Sequence, residues 1–461
     1  MSTIKKTNRR EFLNNTFAGA AAFSILPSHV LGGPKNTPPS EVVNVAIIGA
    51  GGQGLVNVRE LLREDHAQIV AVADPTAEMS YANFYYKSVA GRRPVAAHIN
   101  RDNEKRGRKG RVCAEYIDFR EMLEKQGKDI DAVLIATPDH VHAVAATTAM
   151  KMGKHVYCEK PLGQNIHEVR VTTEVAREQG VATQLGTITH ASQNYRRVVE
   201  RIQSGTIGDV REVHIWCDDG WAPANRPKDT PPVPEWLDWD LWLGPAPYRP
   251  YHPRYVPVTW RSWWGFGNGR LGDMGCHFID LPFWALDLKY PLTVEAEGPP
   301  VHPDGPPRWL ISRWEFPARG KQPPVTLTWY DGDKRPPLLK EKNLPDWKQG
   351  VLFVGSEGML VADYGRRELY PKQKFADIES PPQTIPNSPG HKTEWLAACK
   401  GGVPALCNLD YTGPLTETVL LGSTAYRAGQ KLEWDALNLK AVNCPEADAF
   451  IRREYRKGWE L

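Results

Sequence analysis

The glycine-rich turn from Gly49 to Gly54 constrains the fold of this chain more than any other stretch. The apolar, largely β-branched run Val43 to Ile48 leads into the turn, and the helix-like stretch Leu55 to Arg63 follows it. In such a G-x-G-x-x-G turn, Gly49 permits the tight bend, Gly51 lets the backbone approach a diphosphate, and Gly54 lets the helix pack on the strand. The unpaired N–H groups at the start of the helix then face the diphosphate. The pattern therefore predicts an α/β unit that binds a dinucleotide.

The acidic residue Asp74 narrows the choice of dinucleotide. A second apolar run, Ile69 to Ala73, ends at Asp74, twenty residues after Gly54. A carboxylate at this place accepts hydrogen bonds from the hydroxyls of the adenosine ribose. Asp74 would repel a 2′-phosphate, and the following Pro75 and Thr76 supply no cation to hold one. We therefore predict NAD as the cofactor in preference to NADP.

Strand-like and helix-like segments continue to alternate after Asp74. We predict helices at residues 118–126, 140–152 and 166–179, and strands at residues 132–136, 155–158 and 181–184. This alternation is typical of a Rossmann-type, doubly wound parallel sheet. The basic stretch 91–111 is interrupted by Asp102 and Glu104 and lacks interleaved aromatic residues, so we interpret it as a solvated insertion and not as a nucleic-acid patch.

The second half of the chain has a different pattern. Strand-like runs separated by long proline-rich connections lie at residues 210–217, 293–297, 309–316 and 325–330. They predict a C-terminal α+β domain with a largely antiparallel sheet. We expect the parts of the chain to be a signal segment (1–33), a linker (34–41), an NAD-binding Rossmann domain (42–162), an α+β domain for substrate and oligomerisation (163–436) and a C-terminal tail (437–461).

The N-terminal segment resembles a bacterial twin-arginine export signal. Arg9 and Arg10 precede Glu11-Phe12-Leu13, and the apolar, small-residue run Thr16 to Leu26 follows. That run is about half of the ~20 residues that a membrane-spanning helix needs. No A-x-A cleavage site is visible, so a cleaved signal and an uncleaved anchor both stay open, as does a cytosolic tail. We expect the twin-arginine machinery to export the protein to the periplasm.

Charge and cysteine content exclude several classes of partner. The formal charge of +3 equals the excess of four basic residues over one acidic residue within residues 1–33, so the rest of the chain is neutral. A neutral protein has no overall attraction to nucleic acid or anionic lipid. The seven cysteines are widely spaced and form no metal-ligand pattern, so we predict neither a metal site nor a disulfide scaffold.

Two kinds of segment carry groups suited to catalysis. Residues 136–142 and Glu159-Lys160-Pro161 follow predicted strands, and ligands of doubly wound sheets lie at those strand ends. The Lys160 amine can bind a substrate hydroxyl there, although it can also be a surface lysine. If the stretch is helical, Asp273, His277 and Asp280 share one helix face, and an imidazole can take a hydroxyl proton as hydride leaves the carbon. The same spacing also suits a purely structural hydrogen bond.

Several motifs in order give the chain a family resemblance over roughly residues 42–436. Beyond the glycine turn and Asp74 they are the segments ATPDHVH at 136–142, EKP at 159–161, GTIGDV at 205–210, GDMGCH at 272–277 and HKTEWLAA at 391–398. This combination resembles the Gfo/Idh/MocA family of NAD(P)-dependent sugar and cyclitol oxidoreductases. The pairing of E-K-P with D-x-x-x-H is much more specific than the glycine turn.

The resemblance implies roles for individual residues. Lys160 would contact the reacting hydroxyl, His277 would be the general acid/base, and Asp273 would bind substrate and orient His277. By the same resemblance, the nicotinamide side would be lined by Thr137, Pro138 and His142, with Glu159 beside them. Many relatives have an arginine after the strand near residue 184, whereas this chain reads Thr187-Ile-Thr-His190. This departure leaves the substrate open and makes His190 a candidate substrate contact.

Tryptophans are concentrated on both sides of the proposed catalytic stretch 271–280. They are Trp236, Trp239, Trp242, Trp260, Trp263, Trp264 and Trp284. Flat aromatic faces can stack on sugar C–H groups, but they also serve core packing and subunit contacts. We take Trp264 and Arg261 as candidate substrate contacts, with a structural ion pair as the alternative for the arginine.

These features predict an NAD-dependent oxidoreductase acting on a hydroxyl of a sugar, cyclitol or sugar derivative, with tightly held NAD. Two alternatives stay open: a redox-neutral, NAD-dependent glycoside hydrolase or lyase, and a sugar-binding protein without turnover. Nicotinamide nucleotides are scarce outside the cytoplasm, so an exported enzyme of this kind should retain its cofactor. The resemblance also implies a homo-oligomer.

Overall fold

Two large β-sheets and one two-stranded hairpin organise residues 43–461. The structure, a computed structural model, describes residues 41–108, 110–222 and 225–461. The predicted signal segment 1–33, and the predicted linker 34–41 apart from its last residue, lie outside the described residues.

The first part of the chain alternates strands with helices. In chain order these elements are β1 Val43–Ile48, α1 Gly52–Leu61, β2 Ala67–Ala73, β3 Met79–Ser80, β4 Val89–Ala90, α2 Arg92–Lys105, β5 Ala114–Tyr116, α3 Phe119–Gln126, β6 Ala132–Ile135, α4 Asp139–Lys151, β7 His155–Cys158, α5 Ile166–Gln179 and β8 Thr183–Leu185. Six strands form a parallel sheet in the order β5-β2-β1-β6-β7-β8. This is the Rossmann strand order. Successive strands are added on one side of β1 up to β5 and on the other side from β6 onward, and ligands of such sheets bind in the crevice between β1 and β6.

The second part of the chain builds a larger sheet. Its elements are α6 Gln193–Gln203, β9 Val210–Asp218, α7 Trp239–Leu243, α8 Gly269–Phe278, α9 Asp280–Ala285, β10 Thr293–Glu297, β11 Ile311–Phe316, β12 Val325–Gly332, α10 Pro337–Glu341, β13 Gln349–Gly355, β14 Met359–Ala362, β15 Arg367–Tyr370, α11 His391–Cys399, α12 Leu409–Ala428, β16 Leu432–Asp435, β17 Lys440–Ala441 and α13 Asp448–Ile451. The nine strands lie in the order β15-β14-β13-β9-β12-β11-β10-β16-β17. All neighbours are antiparallel except β9 and β12, which are parallel.

This architecture confirms the predicted fold class and changes some of the predicted limits. The parallel sheet continues past residue 162, because β8 pairs with β7 and completes the sheet. The stretch interpreted as a solvated insertion, 91–111, instead contains α2, whose residues Val95, Ala96 and Ile99 are buried. The predicted tail 437–461 contains β17 and α13 and ends near Trp459, which is also buried.

One apolar core joins the two sheets. It runs without a break from Ile135 of β6 to Leu327 of β12, and α12 packs against both α5 and α8. None of the helices in the described ranges is long and apolar enough to cross a membrane. The seven cysteines are free thiols, and all except Cys399 are buried. The catalytic segments are therefore held between two sheets that share a core.

Candidate active site

The glycine turn is closely packed at its first and last glycines. Gly49 has a φ of +91°, and a Cβ atom there would lie 2.6 Å from the carbonyl carbon of Ala136. A Cβ atom on Gly54 would lie 2.1 Å from the carbonyl oxygen of Gly49. Glycine at these positions therefore brings the end of β6 against the turn and α1 onto β1.

A tyrosine-bearing hairpin covers the middle of the turn. The Tyr81 hydroxyl lies 2.7 Å from where a Cβ atom on Gly51 would be, and the Tyr86 ring lies 2.2 Å from the same position on Gly52. Both tyrosines lie in the loop that connects β3 and β4. The sequence pattern leaves Gly52 free to vary, but this packing requires a glycine there as well.

Asp74 ends β2 beside the glycine turn. One carboxylate oxygen accepts a hydrogen bond from the Ala50 N–H at 2.6 Å, and the other accepts one from the Thr76 N–H at 2.7 Å. Burial raises the pKa of the carboxyl, partly offset by these two backbone donors. Sequence reasoning found no cation here, yet the Arg92 guanidinium donates to the Asp74 carbonyl oxygen at 3.2 Å.

These groups line a groove along the carboxyl ends of β1, β2 and β6, which we term the cofactor groove. Its walls include the predicted cofactor residues Gly49, Gly51, Asp74, Thr137 and Pro138. The N-cap residue of α1, Gly51, provides no side-chain cap, and the Gly52 N–H contacts the Tyr81 hydroxyl. The other N–H groups of the first turn are the donors for a diphosphate. The residues present therefore fit a bound dinucleotide.

A cavity of about 500 Å³ adjoins this groove at the ends of β6 and β7; we term it the central cavity. The predicted site residues that line it are Thr137, His142, Glu159, Lys160, Arg261, Asp273 and His277. Residues from the parallel sheet and from α8, more than a hundred positions apart in the chain, thus face one another. His190 and Trp264 do not line it.

Lys160 and Asp273 form the polar centre of the central cavity. The Lys160 Nζ donates to the Asp273 carboxylate at 2.9 Å and to its backbone carbonyl at 2.5 Å. Arg261 Nε donates to the same carboxylate at 3.2 Å, and Trp221 Nε1 donates to its other oxygen at 3.0 Å. Burial alone would lower the pKa of Lys160, but the Asp273 carboxylate raises it above its ordinary value. Conversely, Lys160 and Arg261 outweigh burial and hold the pKa of Asp273 well below its usual range.

His277 lies one helical turn beyond Asp273 on α8. Burial, reinforced by the charge of Lys160, lowers the pKa of His277 to about 3, although Asp273 acts in the opposite direction. The imidazole is therefore neutral at physiological pH. In the described part of the chain Nδ1 has no hydrogen-bond partner.

The predicted orienting hydrogen bond, from the His277 imidazole N–H to the Asp273 carboxylate, is not formed, because Lys160, Arg261 and Trp221 donate to that carboxylate instead. Asp280 was expected on the same helix face as this pair. Instead α8 ends at Phe278, and the Asp280 carboxylate binds His190.

His142 and Glu159 hold the walls of the site together. The two ring nitrogens of His142 lie 2.6 Å from the Pro161 carbonyl oxygen and 2.8 Å from that of Thr137, so this ring bridges the loops that follow β6 and β7. Glu159 accepts hydrogen bonds from Asn57 at 2.9 Å and Gln53 at 3.2 Å, which fixes the end of β7 to α1. Both residues line the central cavity, and their hydrogen bonds also hold its walls in place.

His190 and Trp264 need correction as substrate contacts. His190 is buried, binds Asp280 at 2.9 Å and stacks on Trp284 at a centroid distance of 3.9 Å, because the turn 188–191 directs it inward. Trp264 donates to the His302 carbonyl at 3.1 Å and lines a separate cavity with Arg249 and Arg427, which we term the arginine cavity.

Most of the other predicted tryptophans serve packing. Trp239, Trp242 and Trp263 belong to an aromatic core formed within residues 237–266. Trp260 also belongs to it but reaches the central cavity, where the Arg261 guanidinium lies 4.1 Å from its ring centroid. Stacking on a substrate can therefore involve Trp260 but not the whole cluster.

Five side chains that line the central cavity were not predicted from the sequence. They are Asp139, Arg270, Trp221, Tyr85 and Tyr86. Asp139 is buried at the start of α4, and burial raises the pKa of its carboxyl to about 8, although Arg261 and Lys160 oppose the rise. Its position directly after a strand end was the available signal. Within the residues described, no group of three or more His, Cys, Asp or Glu side chains could hold a metal ion.

Both parts of the chain match models of one protein family. A model described as the oxidoreductase family's NAD-binding Rossmann fold matches residues 43–187, and one for the family's C-terminal alpha/beta domain matches residues 213–320. Together they span more than half of the chain. The chain belongs to the Gfo/Idh/MocA family. The predictions of an NAD-binding Rossmann domain and of membership of this family are confirmed.

Individual Gfo/Idh/MocA relatives match only part of the chain. Myo-inositol 2-dehydrogenase of Thermotoga maritima is 26% identical over 187 residues, 41% of this chain and 48% of that protein. Alpha-N-acetylgalactosaminidase of Shewanella oneidensis is 27% identical over 177 residues, 38% of this chain and 34% of that protein. The chain thus matches about half or less of the length of these curated relatives.

A solved structure extends the likeness in fold. The WlbA dehydrogenase of Bordetella pertussis, in complex with NADH and UDP-GlcNAcA, has a TM-score of 0.58 to this chain. Sequence identity is 14%, and the match covers 86% of this chain and 99% of that one. At this identity the comparison shows a shared fold over both sheets.

Proposed function

We propose that this chain is an NAD-dependent oxidoreductase acting on a hydroxyl of a sugar, cyclitol or sugar derivative. The observation that carries the proposal is the convergence of Lys160, Asp273 and His277 in one cavity next to Thr137 at the end of β6. Bound NAD would accept hydride from the carbon that bears the hydroxyl. Similarity to a myo-inositol 2-dehydrogenase supports a polyhydroxylated substrate.

Lys160 supplies positive charge where the substrate oxygen becomes negative. Its ammonium group stays protonated because Asp273 raises its pKa. Arg261 and Arg270 line the same cavity, and so do the carboxyl groups of Glu159, Asp219 and Asp273. A preorganised cation in a partly desolvated cavity stabilises an alkoxide more than water does.

His277 takes the hydroxyl proton in this proposal. The ring is neutral because burial lowers its pKa to about 3, and it lines the cavity together with Lys160. A base held neutral needs no prior deprotonation, so the acidic limb of the oxidation rate should lie below the ordinary histidine pKa of about 6.5.

The test is turnover of a panel of sugars and cyclitols with NAD, followed by NADH absorbance. Replacing His277→Gln should lower turnover by about 10²–10⁴-fold, the usual contribution of a general base. His98→Gln on α2, outside the central cavity, is the matched control and should leave turnover unchanged. Full turnover by the His277 variant would refute the assignment of the base.

Asp139 favours a second candidate, redox-neutral cleavage of a glycoside. In that reaction, transient oxidation acidifies a neighbouring carbon, a glycosidic substituent is eliminated, and hydride returns to the sugar. A carboxyl group whose pKa burial raises to about 8 is largely protonated at neutral pH and can donate a proton to the leaving group. Similarity to an alpha-N-acetylgalactosaminidase agrees with this alternative.

The two reactions leave different products. Net oxidation produces NADH and an oxidised sugar, whereas redox-neutral cleavage releases the aglycone of a test glycoside without net NADH. Under the second candidate Asp139→Asn should abolish aglycone release, because an amide cannot donate the proton. A protein that binds sugars and forms neither product would be the non-catalytic binding protein.

We also propose that the protein is exported with NAD already bound. Arg9 and Arg10 support export to the periplasm by the twin-arginine machinery, and the scarcity of nicotinamide nucleotides there supports retention. Nucleotide should therefore be released when purified protein is denatured after gel filtration. A protein that contains no nucleotide after gel filtration would contradict retention of NAD. Recovery of all of the protein in the cytoplasmic fraction of cells would contradict export.

A homo-oligomer remains part of the proposal. The outer face of the nine-stranded sheet carries a small apolar cluster that includes Trp216 and Tyr330, and α10 covers part of it. Charged side chains such as Arg313 lie on neighbouring strands. Light scattering after gel filtration will distinguish a monomer from a dimer or tetramer.

A further inference from the structure

The arginine cavity is about 210 Å³ in volume and shares no lining residue with the central cavity or the cofactor groove. Its walls carry a single acidic side chain, Asp304, and five arginines: Arg226, Arg249, Arg427, Arg452 and Arg453. The volume is below the roughly 300–1,000 Å³ of pockets that enclose a drug-sized ligand. It therefore suits a small ligand, or one group of a larger ligand.

Within the described residues, three of these five arginines form ion pairs with carboxylates, and two do not. The ion pairs are Arg226–Asp304, Arg452–Asp448 and Arg453–Glu168. Neither Arg249 nor Arg427 has an ion pair with any carboxylate of residues 41–108, 110–222 and 225–461. Desolvating two cations without a counter-ion is unfavourable, so an anion in the cavity would be stabilised by both.

Aromatic rings hold both unpaired guanidinium groups in place. The Arg427 Cζ lies 4.1 Å from the ring centroid of Phe450 and 5.0 Å from that of Trp264. The Arg249 Cζ lies 4.7 Å from the ring centroid of Phe266. Rings contact the flat face of a guanidinium group and leave its N–H edge for hydrogen bonds. Arg249 makes one such bond to the Tyr255 side chain and keeps Nη1 without a partner in the described part of the chain. Burial lowers the pKa of Arg427 to about 10, so the group keeps its charge at neutral pH.

Three buried donors of the residues that line the cavity are without a hydrogen-bond partner in the described part of the chain. They are Nη1 of Arg249, Nδ2 of Asn165 and Nε of Arg453. Asn165 is only 5% exposed, and its Oδ1 caps α5 by accepting from the Glu168 N–H at 3.0 Å. This hydrogen bond fixes the orientation of the amide group and leaves its N–H donors without a partner in the described residues. Glu168 itself is occupied by Arg453, Tyr455 and the Gln164 N–H.

We propose that the arginine cavity is a binding site for a small oxyanion, a phosphate, sulfate or carboxylate group, held by Arg249, Arg427 and Asn165. All three supply N–H donors, and a guanidinium edge matches two oxygens of such a group. The site is separate from the catalytic chemistry and stands whether or not the chain oxidises sugars.

The test is calorimetric titration of the full chain with inorganic phosphate, inorganic sulfate and acetate, each at constant ionic strength set with sodium chloride. Binding of at least one of them is expected. Preference for phosphate or sulfate would point to a doubly charged group, and preference for acetate would point to a carboxylate.

Two substitutions remove the proposed contacts in different ways. Asn165→Asp keeps the oxygen that caps α5 but replaces the N–H donors with a negative charge, and Arg427→Met keeps the apolar stem between Phe450 and Trp264. Each should weaken binding at least tenfold. The matched control is Arg366→Met, which removes an arginine stacked on Trp347 at 4.0 Å outside this cavity.

A third substitution should strengthen binding. Asp304→Asn removes the carboxylate that pairs with Arg226 and adds a further unpaired cation to the wall. Far-ultraviolet circular dichroism without added anion will establish that each variant is folded. Failure of all three anions to bind wild-type protein would overturn the proposal, as would unchanged binding by both folded Asn165→Asp and Arg427→Met variants.

Discussion

Gly52 occupies a position that the dinucleotide-binding signature leaves open, but its surroundings do not permit a side chain. The ring of Tyr86 lies where a Cβ atom would be, and the same tyrosine also faces the central cavity. The hairpin that carries Tyr86 is therefore fitted to this particular turn, and the hydroxyl-bearing rings extend the wall from the cofactor groove to the central cavity.

Gly52→Ala should weaken NAD binding at least tenfold, because the new methyl group must displace Tyr86 or the start of α1. The double variant with Tyr86→Ala should recover part of this loss, since the two positions are in contact. Gly365→Ala is the matched control, because no atom lies within 4 Å of its added Cβ. Equal NAD affinity of wild type and Gly52→Ala, measured by calorimetry, would contradict the packing argument.

The candidate catalytic residues could be predicted because each belongs to a short, recognisable segment. Lys160 follows a strand, and Asp273 and His277 share a helix face. Asp139, Trp221 and the tyrosines came to notice only in the folded chain, since proximity between distant segments depends on tertiary packing. The same packing overrode local spacing for Asp273, whose carboxylate binds Lys160 and Arg261 instead of His277.

At the scale of elements, the C-terminal segment closes one end of the cofactor groove. Trp459 is buried, lines the groove and packs on Phe119 with a centroid distance of 6.0 Å. The Arg120 guanidinium lies 3.9 Å from the Trp459 ring centroid and donates to the Gly458 carbonyl at 3.0 Å. The last residues of the chain thus contribute to the wall beside Asp74.

Trp459→Ala should accelerate dissociation of bound NAD about tenfold or more, because it opens this end of the groove. Release can be followed by chasing bound nucleotide with excess labelled NAD. Leu437→Ala, at a side chain that is 87% exposed in the same C-terminal region, provides the control. An unchanged release rate in a folded Trp459 variant would show that the segment does not retain the cofactor.

Elements with strong apolar periodicity were predicted well, and elements with mixed composition were not. Helix α5 has the predicted limits, Ile166–Gln179. The buried residues of α2, Val95, Ala96 and Ile99, follow helical spacing, but the surrounding charges concealed it. Strands β13 to β15 were not predicted, because their place in the sheet depends on pairing with β9 from far earlier in the chain.

At the scale of the whole molecule, buried histidines link folding to pH. Burial lowers the pKa to about 3 for His140, His277 and His391 and to about 4 for His142. Below the ordinary pKa of about 6.5 the unfolded chain binds protons that the native chain does not. These histidines therefore leave stability unchanged at higher pH and lower the free energy of unfolding as pH falls from about 6.5 toward 4.

His140→Gln should reduce this acid sensitivity by about 1.4 kcal/mol per pH unit, the value of one proton. Asp139 and Asp331, whose pKa values burial raises to about 8 and about 7, act in the opposite direction. The decisive measurement is therefore the difference between variant and wild type in denaturant unfolding across that range. The partly exposed His98→Gln should change the slope less, and equal effects of both variants would contradict the assignment.

The segment from Leu237 to Phe266 has a core of its own, made of stacked aromatic rings. It contributes Trp260 and Arg261 to the wall of the central cavity and lies between β9 and β10 without belonging to either sheet. The same segment also lines the cofactor groove, with Leu241, Trp242 and the run from Val256 to Arg261. Remodelling it would therefore leave the strands of both sheets in place and change the substrate wall and the cofactor wall together.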